Sequence, residues 1–125
     1  MTQYPIVGAF YRPPAKAILD ALPQDTTLLL RAEPENPHDS YAVMVVLRSA
    51  DISEGPAREK LAETLPNFGF DLDEIMAQEE WHIGYIPRTV APQVQSQLII
   101  DGVKHDAKCT LAFAPDGKPQ VSHHG

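Results

Sequence analysis

Glu33-Pro34-Glu35-Asn36-Pro37-His38-Asp39-Ser40-Tyr41-Ala42-Val43 divides into two halves of opposite character. The first half cannot enter a strand ladder. Pro34 and Pro37 lack amide hydrogens, and Asn36 and Asp39 carry short polar side chains that bond nearby backbone in turns. The second half opens the apolar run 42–47, which reads as a buried strand. The chain around this stretch is built on the same short scale. Strands are expected at 6–10, 26–31 and 81–86. From 103 to 113 the sequence alternates: Val103, Ala107, Cys109, Leu111 and Phe113 fall on one face, with Lys104, Asp106, Lys108 and Thr110 on the other. That is the period of a half-buried strand. Asp116-Gly117 is a turn signal opening a final hairpin.

Helices are few. Ala15, Ile18, Leu19 and Leu22 fall at helical spacing, with Pro14 suited to the first turn and Pro23 to the stop. Thr89 is expected to cap a second helix through Leu98, with Pro92 in its first turn and Gly102 ending the element. Two shorter helices are expected at 56–65 and 71–78, the latter capped by Asp71. Twelve prolines in 125 residues break the chain too often for a long-helix bundle. The reading is a mainly β fold in a single domain, 1–125. Five or six short strands with two short helices and a helical insertion form a small curled sheet or barrel.

Hydrophobic residues make up 43% and charged residues 22%, which excludes a wholly disordered chain. The longest apolar runs are far too short to cross a bilayer, and the N-terminus lacks the basic start and apolar stretch of a signal peptide. Cys109 is the only cysteine, so no internal disulfide and no cysteine-built zinc site is expected, and a reducing cytoplasm is the expected location. The net charge of −7 argues against a nucleic-acid partner until its distribution is read. Residues 50–80 hold nine acids and two bases, so that segment carries the whole excess and the remainder is neutral. The segment is read as an acidic helical insertion on one edge of the barrel, with the core-lining periodicities outside it.

Three stretches, in order, resemble the HIRAN domain: Val7-Gly8-Ala9-Phe10-Tyr11-Arg12, then the 33–43 stretch, then Ile83-Gly84-Tyr85-Ile86-Pro87-Arg88. The middle motif, Asn-Pro-x-Asp just before an Ala-hydrophobic strand, is the specific one. The resemblance covers about residues 5–47 and 81–113. It implies an OB-like β-barrel of about six strands, found both fused to DNA-remodelling ATPases and free-standing in bacteria. It also implies a grip on the 3′ end of single-stranded DNA. Aromatic residues stack on terminal bases, a loop Asp with backbone groups receives the 3′-hydroxyl, and basic residues neutralise phosphates.

Carried over residue by residue, the resemblance names eight positions. Phe10 and Tyr11 match the aromatic strand end. Adjacent strand residues face opposite ways, so one of the two is exposed, and Tyr11 is the better candidate because its hydroxyl tolerates water. Asp39 matches the carboxylate; an ionised carboxylate only accepts, so it selects a hydroxyl donor and repels a phosphate. A purely local role, bonding turn amides, stays open for Asp39 and equally for Asn36. His38 stands where the family often has tyrosine and can stack on a base or, protonated, meet a phosphate. Tyr85 and Arg88 match the third motif, with Arg88 suited to a phosphate. Arg12 supplies further basic character. Glu35 departs from the neutral amide of some members and sets a carboxylate near the phosphates.

Other chemistry is thin. His105, His123 and His124 follow no ligand spacing, and neither a glycine-rich phosphate loop nor a nucleophile triad is legible. No cofactor, metal or catalytic site is expected. The leading expectation is a non-enzymatic module for single-stranded DNA ends in DNA repair or stalled-fork processing, working beside a DNA-processing ATPase or nuclease. The alternative is a protein-interaction module that keeps the barrel and uses the acidic insertion as its contact surface.

Overall fold

The computed structural model describes residues 2–8 and 13–123. Along the chain run β1 (Thr2–Pro5), α1 (Pro13–Ala21), β2 (Thr27–Ala32), β3 (Val43–Arg48), α2 (Pro56–Thr64), α3 (Leu72–Met76), β4 (Glu80–Tyr85), α4 (Ala91–Leu98), β5 (Ile99–Ile100), β6 (Val103–Lys104), β7 (Ala107–Phe113) and β8 (Pro119–His123). Single 3₁₀ turns occupy Ser49–Ile52 and Leu65–Phe68.

Six strands form one antiparallel sheet in the order β1-β8-β7-β2-β3-β4, and β5 pairs with β6 in a small separate hairpin. The large sheet is curled. Val7, two residues beyond β1, forms an antiparallel bridge with Tyr85 at the end of β4. The Val7 amide donates to the Tyr85 carbonyl at 2.9 Å, and the Tyr85 amide returns the bond at 2.8 Å. Chain leaving one edge of the sheet thereby meets the other. Two features of β4 permit this. The β3–β4 register shifts between Val45 and Val46, a bulge that bends a strand. At Gly84, moreover, an added Cβ would lie 2.5 Å from Ile6 Cγ2 and 3.0 Å from the Val7 carbonyl oxygen, so only glycine admits the approach.

The core follows from strand alternation. Leu28 and Leu30 of β2, Val43, Val45 and Leu47 of β3, and Leu111 of β7 are fully buried in one cluster. Ala15, Ile18, Leu19 and Leu22, the helical stripe legible in the sequence, face the same cluster. Burying side chains of the Leu or Ile kind contributes about 1.5–3 kcal/mol each. Among the described residues no helix is long and apolar enough to cross a membrane.

Five expectations are corrected. The first strand is Thr2–Pro5 rather than 6–10, because it pairs in register with β8. Ile6 is buried and Val7 makes only the bridge; residues 9 and 10 lie outside the described residues. The 50–80 segment does enter the core. Its Ile52, Ala57, Leu61, Leu65 and Ile75 are buried in the main cluster, so core positions are not confined to the flanking strands. Asp71 does cap α3, accepting from the Asp73 amide at 3.0 Å.

Thr89 does not cap α4; Val90 holds that position without a side-chain bond. The Pro87 carbonyl already accepts the amides of Val90 and Ala91, and Pro92 has no amide to offer a threonine. Gly102 ends no helix either. The helix stops at Leu98 before the β-branched pair Ile99-Ile100. Asp101 and Gly102, at φ 53° and 77°, form the tight turn of the β5–β6 hairpin. Finally, the 103–113 strand is broken at 105–106. Cys109 and Leu111 face the core, but Val103 and Phe113 are exposed.

Candidate functional site

The 33–42 loop is held by its own side chains. The Asn36 Oδ1 accepts the amides of His38 at 2.8 Å and Asp39 at 3.2 Å, while its Nδ2 donates to Glu33 Oε1. The Ala42 amide donates to the Asp39 carbonyl, and the Glu33 amide to the Ala42 carbonyl, closing the loop at its neck. Gln95, buried on α4, donates from Nε2 to the carbonyls of Ser40 at 2.8 Å and Ala42 at 3.3 Å. Asn36 therefore takes the structural role left open for it.

Asp39 divides its carboxylate. Oδ1 accepts the Tyr41 amide at 2.9 Å, the local turn bond typical of Asp. Oδ2 faces the guanidinium of Arg88, 3.5 Å from Nε. The Asp39 side chain is 18% exposed and that of Arg88 81%, so the cation can swing away while the carboxylate stays. Arg88 arrives from the segment that follows β4. Tyr85 at the end of β4 is half-buried. Its hydroxyl donates to Glu33 Oε1 at 3.3 Å, and its ring meets that of His82 edge-on at 4.6 Å.

These residues share one cleft. Asn36, His38, Asp39, Tyr85 and Arg88, with Val7, Gly8, Ala42 and Ile86, line a depression of about 320 Å³. The Val7–Tyr85 bridge joins two of its lining residues, and its lining includes an acceptor, a cation, an imidazole and a phenol. Five of the eight sequence candidates are thus brought together. Phe10, Tyr11 and Arg12 lie outside the described residues. Tyr41, within this loop, is exposed.

Glu33 and Gln95, which hold the loop, were not among the candidates. A glutamine between apolar Val94 and Leu98 on a buried helix face was the available signal for Gln95. Lys104 on β6 lies 3.4 Å from Glu35 and offsets that carboxylate, though an exposed pair contributes only about 0–1 kcal/mol. Two arginines away from the cleft are engaged. Arg31 binds Asp106 through Nε and Nη2 and Glu80 through Nη2, which raises its pKa further, and Arg48 binds Asp51. Among the described residues no cluster of three or more His, Cys, Asp or Glu side chains stands ready for a metal ion.

No protein-family model, no curated protein and no solved structure matches the chain.

Proposed function

We propose that the chain is a HIRAN-type module with an OB-like barrel, and that its cleft receives the terminal nucleotide of a single DNA strand with a free 3′-hydroxyl. One observation carries this reading: Asn36, His38, Asp39, Tyr85 and Arg88, drawn from the second and third sequence motifs, line a single cleft beside the Val7–Gly8 segment of the first. Asp39 Oδ2 is the acceptor for the hydroxyl, and the exposed Arg88 guanidinium moves from it to the adjoining phosphate. Tyr85, with Tyr41 exposed nearby, offers ring surface, and stacking of one base on a ring is worth about 1–3 kcal/mol. The module binds and does not catalyse, and it serves a DNA-processing ATPase or nuclease in the cytoplasm.

The competing reading, a protein-interaction module, draws on Phe68, which is 52% exposed within the acidic segment. Fluorescence-anisotropy titration separates the two. A labelled single strand ending in a 3′-hydroxyl is expected to bind much more tightly than the same strand ending in a 3′-phosphate or closed into a circle. Equal binding of all three overturns end recognition, and no binding to any favours the protein-interaction reading.

A further inference from the structure

A second and larger depression, about 490 Å³, adjoins the same backbone segment. It shares Val7 and Gly8 with the first cleft. Ile6, Leu19 and Pro119 give it apolar lining from just beyond β1, from α1 and from the start of β8, and Lys16, Asp20 and Lys118 supply its charged lining. Of the two shared residues, Gly8 has no side chain and Val7 is 42% exposed. Both lysines are exposed cations on the surface. Lys16 Nζ lies 2.9 Å from Asp20 and Lys118 Nζ 3.9 Å from Asp116, with lysine side chains 55% and 83% exposed. Pairs this exposed are weak and exchange readily for a phosphate.

We infer that the two depressions form one trough, and that the nucleotides 5′ of the terminal one cross Val7-Gly8 into the larger depression, where Lys16 and Lys118 take their phosphates. The inference rests on the reading of the first cleft, and it commits to a continuous single strand as occupant for two reasons. The apolar lining suits bases, and the two exposed lysines suit phosphates once they leave Asp20 and Asp116. The shared Val7-Gly8 segment also makes the larger depression the continuation of the proposed binding cleft. It predicts that affinity depends on strand length beyond the terminal nucleotide, and that this dependence is carried by two lysines remote from Asp39.

The test compares the intact chain with Lys16→Gln/Lys118→Gln, titrated by anisotropy with 3′-hydroxyl strands of two and eight deoxythymidines over a range of salt. For the intact chain the eight-mer is expected to bind at least tenfold more tightly than the two-mer. In the double variant that advantage collapses to within about twofold, and the slope of log affinity against log salt falls by about 0.7 for each lysine removed. The ratio of 3′-hydroxyl to 3′-phosphate binding is read in the same series and reports on the first cleft alone. An unchanged length advantage and salt slope in the double variant, with the end preference present, overturns the trough and leaves the end site. A lysine-dependent slope with no end preference supports the lysine track and overturns the end site. Absence of binding by the intact chain overturns both.

Discussion

Arg88 Nε stands 3.5 Å from Asp39 Oδ2, while Oδ1 of the same carboxylate holds the Tyr41 amide at 2.9 Å. One side chain therefore combines a turn bond, which is local, with an acceptor turned toward the cleft. The two roles can be separated. Asp39→Asn keeps an oxygen for the Tyr41 amide and removes the charge; Asp39→Ala removes both. Both variants are expected to lose the preference for a 3′-hydroxyl over a 3′-phosphate. Only the alanine variant is expected to lose stability, by about 0.5–1.5 kcal/mol, in urea denaturation. If Asp39→Asn keeps the end preference, Asp39 is a turn residue and nothing more.

Gly84 sets how closely Val7 can approach β4. A methyl group there meets Ile6 Cγ2 at 2.5 Å and the Val7 carbonyl at 3.0 Å. The Ile6 side chain has some freedom to turn aside, but the carbonyl is backbone. Gly84→Ala is expected to cost about 1–3 kcal/mol, the range of overpacked sites. The amides of Val7 and Tyr85, which form the bridge, are expected to exchange faster with deuterium than in the intact chain. Unchanged stability and unchanged exchange would show that the bridge is not held by this contact.

The parts legible in the sequence are those whose physics is local. Asn36 and Asp39 specify their loop through bonds to amides two or three residues away, and the α1 stripe buries the four residues its spacing names. Only the resemblance assigns Arg88 and Asp39 to one site, because no periodicity links residues on separate elements, and their ion pair is visible only in the structure. Non-local pairings stayed invisible. Arg31 reaches Glu80 and Asp106, 49 and 75 residues away, and Val7 meets Tyr85 through a single bridge. The 50–80 segment misled for another reason. Its charge dominates its composition and hides the few apolar residues, Ile52, Leu61, Leu65 and Ile75, that enter the core from short helical turns.

Cys109 offers a probe of the core. It is buried on β7, and loss of hydration pushes its thiol pKa up to about 12 from an ordinary 9.0. The folded protein is expected to resist alkylation at pH 8 and to react only once denaturant exposes the thiol. Linkage gives the sign above that pH. The unfolded chain loses the thiol proton near pH 9 while the folded chain keeps it, so this group lowers stability as pH rises from about 9 to 12. Cys109→Ala is expected to show a shallower fall over that window in urea denaturation at stepped pH. Parallel pH profiles would contradict the assignment.

The acidic segment must be tested by changing charge without removing chain. Leu61 and Leu65 are fully buried, so excising 50–80 is expected to abolish cooperative unfolding, and Leu61→Ala alone to cost about 2–5 kcal/mol. Glu54, Glu63 and Glu74 are exposed on the same segment. Unlike Glu80 and Asp51, they form none of the ion pairs with Arg31 or Arg48. Replacing all three by glutamine is expected to change stability by no more than about 0.5 kcal/mol per site. Single-stranded DNA should then bind more tightly at low salt. The field of these carboxylates reaches about 30 Å at 0.01 M salt but only about 8 Å at 0.15 M, so the gain should fade toward physiological ionic strength. A gain that persists at high salt would mean the acids touch the strand directly. Weaker binding in the folded triple variant would make this acidic face part of the binding surface and would overturn its reading as a repulsive flank.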